Sequence, residues 1–388
     1  MRALVISNDI IPGFGLPVAA PGIRAAGLAE GLRSHGIDVD VAVPQTILDR
    51  VWTRSLPPAA PDGASIVQPT DLASLIDGNG YSDVIYTNAN MAPHLQPRSD
   101  IRYIYDLFAP KVLELLCSDE RSSKQWEELA SKKERAFALA DHVFVNGHRK
   151  LGYALGWLLR PSVQRIRQER FDKPPLITGD PSELVTVAEM AVPLPDGIEV
   201  RNPSHLPSGP LKIAMAGYAQ SWSGADREAL IARLLDAGHE LRVLAPRHWG
   251  NPHAAAAESL LDSRVHVQQG ALGYPEFGAW LQSADVSLDL FDQSAERTLA
   301  MITRTTVALR LGVPVIHAVD SETSDIVRDH DAGWVCGSGD IAAVLSACAA
   351  ASDPERFAAK QRGAIQASTL RFAPHAALAT ATRLWEQT

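Results

Sequence analysis

Two charged residues, Glu296 and Arg304, lie in a segment that could act on a sugar joined to a diphosphate. The segment separates two apolar runs typical of buried strands, Val286–Phe291 and Val313–Ala318. Ligands of an open parallel α/β sheet bind beside the carboxyl ends of its strands. The pattern therefore predicts Glu296 on a loop that leaves one strand and Arg304 in the first turn of the next helix. A carboxylate there could stabilise positive charge on an anomeric carbon, and a guanidinium could neutralise a diphosphate leaving group.

Each of these two residues also has a structural alternative. Glu296 could be a solvated loop residue, and Arg304 could form an ion pair with Glu296 or Asp292.

The elements that must position these residues occur twice along the chain. Pro21–Pro44 and Ala225–Pro246 each contain an amphipathic helix, a glycine, a strand and a proline. Each helix follows a short apolar strand and a glycine-containing loop. This order opens a doubly wound βαβ unit. The repeat therefore predicts an α/β fold with two Rossmann-like doubly wound domains that face each other across a cleft.

Length and composition also indicate two domains. A chain of 388 residues is too long for one ordinary core. The stretch Pro193–Pro210 is rich in proline, glycine and serine, as linkers are. We predict an N-terminal domain over residues 1–195, a linker over 196–210 and a C-terminal domain over 211–372. Residues 373–388 are predicted to form a last helix that crosses back to the N-terminal domain.

The C-terminal domain contains further candidates for contacts with a nucleotide. Trp222, in a polar loop, could stack on a base or cap the edge of the core. Arg247 follows the second strand of this domain, where a diphosphate would pass, and a surface position is its alternative. The main chain of Ala271 and Leu272 could contact the base. The donor-side candidates in chain order are Gly217, Trp222, Arg247, Ala271, Leu272, Arg297, Thr303 and Thr305.

The N-terminal domain offers candidates for an acceptor site. Arg24 lies in the first turn of a helix, where a cation opposes the helix dipole. A nearby anion would remove that conflict, and an exposed arginine is the alternative. Asp106 follows an apolar run and is a candidate base, although a structural role is equally open. The acceptor-side candidates are Gly15, Arg24, Asn88, His94, His148 and Lys150, together with Asp106.

Composition excludes several classes of protein. An apolar content of 46% with 21% charged residues is typical of soluble globular proteins. No apolar run approaches the ~20 residues of a membrane span, and the N-terminus lacks a signal-peptide pattern. Cys117, Cys336 and Cys348 are isolated, which argues against disulfides or a zinc site and fits the cytoplasm. A net charge of −9 makes nucleic acid an unfavourable partner. The basic segment Leu158–Arg170 fits a solvated helix face or a peripheral contact with the inner face of a membrane.

Nearly the whole chain resembles the GT-B-fold glycosyltransferases, in particular a retaining bacterial group similar to glycosyltransferase family 4. The resemblance is strongest over Gly270–Gly339 and includes Pro21–Gly36, Tyr105–Pro110 and Phe144–Leu159. It implies that the C-terminal domain binds a nucleoside-diphosphate sugar and that the N-terminal domain binds the acceptor. By position, it also implies that Glu296 lies near the donor sugar, with Arg304 in the donor cleft.

Two features depart from the pattern of this family. Its retaining members usually have an acidic residue five positions before the glycine of a Gly-x-Pro turn, where it binds the ribose hydroxyls. Here Val307 stands at that position before Gly312. The loop Gly217–Gly224 also lacks the arginine and lysine that are common in the wider family.

We therefore expect a glycosyltransferase that uses a nucleoside-diphosphate sugar, with retention and without a metal or other cofactor. Helix N-termini and arginine can neutralise a diphosphate in place of a cation, and Asp289–Asp292 does not have the spacing of a metal-binding DxD motif. The acceptor could be an envelope glycan, a lipid-linked intermediate or a secondary metabolite. Two alternatives stay open. One is a catalytically inactive GT-B homologue that acts as a partner or regulatory subunit, and the other is a sugar-nucleotide epimerase.

Overall fold

The computed structural model describes residues 1–51, 59–117, 122–176, 180–217, 227–244, 263–268 and 270–386. These residues pack into two compact units. The N-terminal unit includes Met1–Leu116, the described residues up to Pro193, and those from Ala373 onward. The C-terminal unit includes the described residues between Leu194 and Phe372.

The N-terminal unit is built on a seven-stranded parallel sheet with the order β3-β2-β1-β4-β5-β6-β7. The order of strands reverses between β1 and β4, and Ile6 at the end of β1 pairs with Tyr86 at the end of β4. This pair marks the switch point of the sheet, beside which ligands of doubly wound proteins bind. The strands are β1 (Arg2–Ile6), β2 (Asp38–Pro44), β3 (Ala64–Val67), β4 (Asp83–Tyr86), β5 (Arg102–Leu107), β6 (His142–Val145) and β7 (Val185–Val187).

Helices connect these strands and cover the faces of the sheet. Helix α1 follows β1, has a proline in its first turn and ends before Gly36, whose φ of +81° suits the left-handed conformation that glycine adopts readily. The helices are α1 (Ala20–Ser34), α2 (Gln45–Val51), α3 (Leu72–Asn79), α4 (Lys111–Cys117), α5 (Ser123–Leu139), α6 (Leu151–Leu158) and α7 (Pro161–Phe171), with short 3₁₀ turns at Pro69–Asp71, Ala89–His94, His148–Lys150 and Pro181–Glu183.

The C-terminal unit repeats this plan with a six-stranded parallel sheet in the order β10-β9-β8-β11-β12-β13. Its switch point lies between β8 and β11. The strands are β8 (Lys212–Ala216), β9 (Glu240–Leu244), β10 (His266–Gln268), β11 (Val286–Asp289), β12 (Val315–Ala318) and β13 (Gly333–Cys336). The helices are α8 (Arg227–Asp236), α9 (Tyr274–Gln282), α10 (Ala295–Leu299), α11 (Thr303–Arg310), α12 (Glu322–Asp329), α13 (Ile341–Ala351) and α14 (Pro354–Ala367), and a π-helical turn follows at Ser368–Phe372. The two parallel sheets with their connecting helices confirm the predicted α/β class and the two Rossmann-like domains.

The predicted linker is packed against the C-terminal unit. Arg201 is buried, and its guanidinium donates hydrogen bonds to the carbonyl oxygens of Gln282 (2.6 Å) and Asp285 (3.2 Å). Burial lowers the pKa of Arg201 to about 10. The boundary between the two units falls between Pro193 and Leu194.

The last described segment, Ala373–Glu386, belongs to the N-terminal unit. It forms two short helices, α15 (Pro374–Leu378) and α16 (Arg383–Glu386), where the sequence predicted one. Thr382 lies between the two helices; its hydroxyl donates to the carbonyl of Ala379 at 3.1 Å, and its main-chain N–H donates to the carbonyl of Leu378 at 3.0 Å.

This segment completes one side of the N-terminal core. The indole of Trp385 is only 5% exposed and donates a hydrogen bond to Asp83 at 3.1 Å. At Gly31, in α1, a Cβ atom would come within 2.6 Å of the carbonyl oxygen of Pro374. The close approach of α1 and α15 therefore requires glycine at this position. Within the described part of the chain, no helix has the length and apolar character needed to cross a membrane.

Candidate functional site

A cavity of about 160 Å³ lies in the C-terminal unit beside the switch point between β8 and β11. Its floor is apolar, and its polar groups come from the ends of β8 and β11, the starts of α8 and α11, and the turn between β13 and α13. The described lining residues are Met215, Ala216, Gly217, Arg227, Leu230, Leu288, Asp289, Leu290, Phe291, Asp292, Arg304, Ser338, Gly339, Asp340, Ile341 and Val344. A largely apolar pocket with a few polar groups at a switch point is where an α/β protein is expected to bind a small ligand.

Asp289, the last residue of β11, anchors the polar side of this cavity. Arg304 donates to its Oδ1 atom through Nε (2.8 Å), and its Nη2 lies 2.6 Å from the same oxygen. Thr305 donates to Oδ2 at 2.7 Å. Burial alone would raise the pKa of Asp289, but Arg304 and its other partners hold it below its ordinary value. The carboxylate therefore stays ionised and fixes the direction of the Arg304 side chain.

His317, on β12, extends this network behind the cavity. Its Nδ1 lies 3.3 Å from the hydroxyl of Thr305 and 3.8 Å from Asp289, and its Nε2 lies 3.0 Å from the hydroxyl of Ser321. Burial lowers the pKa of His317 to about 4, although Asp289 opposes this effect. The imidazole is therefore neutral at pH 7, and Arg304 is the cation that Asp289 holds.

A second arginine, Arg227, lines the cavity at the start of α8. Its Nε atom is buried and has no hydrogen-bond partner among the described residues. Burial lowers its pKa, the nearby Arg304 lowers it further, and Asp289 only partly opposes them. Two guanidinium groups thus share one buried carboxylate in this part of the cavity.

Glu296 and Arg297 lie in α10, the short helix that follows β11. Both are buried, and Arg297 Nε lies 3.2 Å from a carboxylate oxygen of Glu296. The Arg297 guanidinium also lies over the ring of Phe291, 4.5 Å from its centroid. Because Phe291 lines the cavity, the Glu296–Arg297 pair packs behind the cavity wall. Glu296 is therefore not the solvated loop residue that the sequence allowed as an alternative.

Arg304 lies in the first turn of α11, as its sequence position indicates. Its partner is Asp289, which corrects the alternative pairing with Glu296 or Asp292. Its side chain also packs against Gly217, where a Cβ atom would lie 2.5 Å from the guanidinium Nη1. Gly217 has a φ of +111°, so both the contact and the backbone favour glycine there.

The other donor-side candidates are spread over the same unit. Thr305 is buried on Asp289, and Thr303 is half-buried at the first position of α11. Ala271 is exposed and Leu272 half-buried in the loop between β10 and α9. Val307 is buried in the core face of α11 and does not line the cavity. Trp222 and Arg247 lie outside the described residues.

In the N-terminal unit, Arg24 and Asp106 form one buried ion pair. Neither side chain is exposed; Arg24 donates to both carboxylate oxygens, with Nη2 at 2.7 Å from Oδ1 and Nε at 3.1 Å from Oδ2. Arg24 also donates to the carbonyl of Ala188 at 2.9 Å, beyond the end of β7. Asp106 is thus the anion that compensates this cation. Arg24 is the fifth residue of α1 rather than part of its first turn, and the exposed alternative for Arg24 is wrong. The base role of Asp106 stays a prediction, and one that this complete burial disfavours.

The other acceptor-side candidates lie on loops at the carboxyl edge of the N-terminal sheet. Asn88, after β4, accepts a hydrogen bond from the main chain of Asn90 at 2.8 Å. Lys150, after β6, is buried and donates to the carbonyl of Phe108 at 2.8 Å. The side chains of His94 and His148 are exposed, as is Gly15, which has a φ of +66°.

Sequence reasoning missed two residues that shape the cavity. Asp289 entered the sequence analysis only as part of a segment without the spacing of a metal-binding motif, and Arg227 was not considered. The charge of Asp289 directly after three buried strand residues is a signal for a buried, paired carboxylate. Arg227 lies three residues after the cation-free loop Gly217–Gly224, so its position in the sequence is the signal for a cation near the end of β8.

Solved structures with the same architecture cover the whole chain. A sucrose-phosphate synthase from Thermosynechococcus elongatus superposes with a TM-score of 0.70 at 14% identity, over 100% of this chain and 98% of that one. HepE from Anabaena in complex with UDP-glucose gives 0.61 at 12% identity, over 100% of both chains. An alpha-glucosyltransferase in complex with UDP gives 0.63 at 12% identity, over 100% and 99%. The chain has the GT-B fold.

No protein-family model and no curated protein sequence matches this GT-B chain. At such low identities the structural likeness shows the fold, and the chemistry must be argued from the residues themselves. Among the described residues, no group of three or more His, Cys, Asp and Glu side chains is placed to hold a metal ion.

Proposed function

We propose that this GT-B protein is a glycosyltransferase that binds a nucleoside-diphosphate sugar in the cavity of its C-terminal unit. The observation that carries the proposal is the grouping of two guanidinium groups around one buried carboxylate. Arg227 and Arg304 lie near Asp289 at one side of the cavity, and the Nε atom of Arg227 has no hydrogen-bond partner among the described residues. A diphosphate would accept charge-assisted hydrogen bonds from both guanidinium groups. Structural neighbours in complex with UDP or UDP-glucose support the same ligand class.

The two arginines would have different roles. Asp289 and Gly217 already fix Arg304, so its guanidinium is preorganised for charge that develops on the leaving diphosphate. Arg227, whose Nε atom has no hydrogen-bond partner among the described residues, would contribute more to ground-state binding. It would replace the arginine and lysine that are missing from the loop after β8.

Two exposed carboxylates at the cavity could hold the ribose. Asp292 accepts a hydrogen bond from Ser338 at 3.1 Å, and Asp340 caps the start of α13. Ribose hydroxyls could donate to their remaining lone pairs. Asp292 and Asp340 would then do the work of the ribose-binding acid, which is absent here because Val307 stands at its position.

The finer points of the proposal follow from the family resemblance. We propose retention of configuration at the anomeric carbon, transfer without a metal ion, and an acceptor bound by the N-terminal unit. The anomeric coupling in the NMR spectrum of the product tests the first point, and turnover in EDTA tests the second. The acceptor classes are an envelope glycan, a lipid-linked intermediate and a secondary metabolite; for the second, we also propose peripheral contact with a membrane.

The first experiment is a thermal-shift titration with UDP, GDP, TDP, ADP and CMP. Binding to the folded protein raises its melting temperature in proportion to the logarithm of ligand concentration over Kd. We expect a shift with one or two nucleoside diphosphates. No shift with any of these nucleotides would contradict the proposal. Nucleotide binding without turnover of the matching sugar nucleotide would favour an inactive GT-B homologue.

The Arg227→Ala variant tests the charge argument. We expect it to weaken nucleoside-diphosphate binding by about 1.5–3 kcal/mol, the usual contribution of a hydrogen bond to a charged group. Arg233→Ala is the matched control, because Arg233 is an exposed residue of the same helix. Equal loss of affinity in both variants, measured by calorimetry, would mean that the helix rather than the Arg227 guanidinium is responsible.

A further inference from the structure

Among the described residues of the N-terminal unit, three aspartates are buried, and one of them has no ion pair. Asp83 pairs with Arg102 at 2.6 Å, and Asp106 pairs with Arg24 at 2.7 Å. Asp9 is 6% exposed, and no Lys, Arg or His of the described residues lies within 4 Å of its carboxylate. Buried carboxylates are usually paired, so an unpaired one calls for an explanation.

The backbone around Asp9 holds its carboxylate in a defined position. The hydroxyl of Ser7 donates to the main-chain carbonyl of Asp9 at 2.7 Å. The N–H of Ile10 donates to carboxylate oxygen Oδ1 at 2.7 Å. The other oxygen, Oδ2, makes no hydrogen bond within the described residues and is not one of the enclosed side-chain atoms that lack a partner, so it reaches the solvent. The Ile10 N–H thus fixes Oδ1, while Oδ2 can accept a hydrogen bond from another group.

Asp9 also lies at the switch point of its sheet. It follows β1 by three residues, and Asn88 follows the neighbouring strand β4 by two. The loop that contains Asp9 continues to Gly15, an exposed residue in the left-handed conformation. The strand order of a doubly wound sheet makes this the place where a ligand is expected.

Charges around Asp9 limit which ligand could bind. Burial raises the pKa of Asp9 to about 6, while the Ile10 N–H bond and the more distant Arg50 and Lys111 oppose this effect. The carboxylate is therefore mostly ionised at pH 7 but poorly stabilised. A hydroxyl group that donates to it would improve its stability. Arg50 and Lys111 already place positive charge in this region, so we take a neutral hydroxyl as the donor and use an ammonium group as the competing ligand in the test.

We propose that Asp9 is an acceptor-binding residue whose Oδ2 atom accepts a hydrogen bond from a hydroxyl group of a neutral, polyhydroxylated acceptor. The inference rests on the proposed function and specifies the acceptor class on the N-terminal side. Asp9 forms no covalent bond and takes no proton in this role. It positions the acceptor, and Asp106 stays a structural partner of Arg24.

The test uses Asp9→Asn in the full chain, with Asp38→Asn as control because Asp38 lies exposed at the opposite edge of the same sheet. Release of nucleoside diphosphate from the sugar nucleotide that binds is measured with methyl glycosides and with amino sugars as acceptors. We expect Asp9→Asn to raise the acceptor KM about 10- to 100-fold, the effect of losing a hydrogen bond to a charged group, with a smaller change in kcat. Nucleotide affinity should stay within twofold of the wild type.

The pH dependence separates this role from a structural one. In the wild type, the acceptor KM should fall as pH rises through about 6, where Asp9 becomes ionised. In Asp9→Asn it should be flat over this range. The variant should also melt at a higher temperature than the wild type at pH 8, since an unpaired buried charge has been removed.

The other outcomes overturn the inference. Equal acceptor KM and equal pH dependence in the two proteins would remove Asp9 from the acceptor site. Stimulation by amino sugars alone, or by no compound in either class, would exclude the proposed ligand chemistry. Absence of nucleotide binding in the wild type would contradict the proposed function itself, a result distinguishable from all of these.

Discussion

At the scale of single residues, Asp289 determines how the polar side of the cavity in the C-terminal unit is arranged. It binds Arg304 and Thr305 directly and lies next to His317, so three elements, β11, α11 and β12, meet at one carboxylate. None of these contacts requires a ligand. The cavity should therefore hold Arg304 in place before any nucleotide arrives.

Replacing Asp289 should destabilise the C-terminal unit. Asp289→Asn leaves the guanidinium of Arg304 without its partner, and removal of one member of a buried ion pair typically costs about 3–5 kcal/mol. Since Arg304 is about one-quarter exposed, we expect a value near the lower end. Chemical denaturation measures this loss. Asp292→Asn, an exposed neighbour, should change stability little, and a similar loss there would contradict the argument.

His317 predicts how stability depends on pH. Its pKa is about 4 in the folded protein and 6.5 in its ordinary state. Between these values the unfolded chain binds a proton that the folded chain does not, so stability is lost as pH falls from about 6.5 to about 4. The slope from one such group approaches about 1.4 kcal/mol per pH unit.

Denaturation curves between pH 7 and pH 4 measure this slope. His317→Gln should be less stable at pH 7 but show a flatter dependence than the wild type. His266→Gln should keep the full dependence, because His266 is exposed. His142 also has a pKa lowered to about 4 by burial, so some dependence persists in both variants. If the free energy of unfolding depended on pH equally in the wild type and in His317→Gln, His317 would take up no proton when the protein unfolds.

At the scale of elements, the Arg24–Asp106 pair joins α1, β5 and the end of β7. Arg24→Met alone leaves a buried carboxylate unpaired, and we expect a loss of about 3–5 kcal/mol. A double variant that also carries Asp106→Leu replaces the ion pair by apolar groups. It should recover most of the stability that Arg24→Met alone loses. A double-mutant cycle measured by urea denaturation checks this. The double variant could instead lose as much free energy of unfolding as Arg24→Met and Asp106→Leu lose together. That result would mean that the ion pair does not connect these elements.

The sequence predicted the helices and strands far better than it predicted which side chains pair with one another. Local signals predicted the right order of strands and helices. These signals are helical spacing, the glycines after α1 and α8, and the apolar runs of β11 and β12. The partners of Arg304 and Arg24 come from residues 15 and 82 positions away. Spacing cannot reveal such pairs, because they depend on how strands are ordered in a sheet. The prediction of a single C-terminal helix was also wrong, because the structure has two short helices there, α15 and α16.

At the scale of the whole molecule, the N-terminal unit is built from two distant parts of the chain. Trp385 packs into its core with Ala377, Leu378 and Ala381, and binds Asp83. Trp385→Ala should destabilise this unit by about 3–5 kcal/mol, as for other buried tryptophans. Differential scanning calorimetry should show a lower transition for the N-terminal unit and an unchanged one for the C-terminal unit. Equal shifts of both transitions would mean that the two units unfold together.

The same arrangement has a consequence for synthesis on the ribosome. The C-terminal unit has all its described residues before Ala373, whereas the N-terminal unit, although it begins first, lacks part of its core until Trp385 has been made. Nascent chains that stop short would leave the apolar face of α1 uncovered, where chaperones and proteases recognise unfolded protein. A nascent chain that has not yet reached Trp385 therefore cannot bury that face, and folding of the N-terminal unit must wait until Ala373–Glu386 has been made.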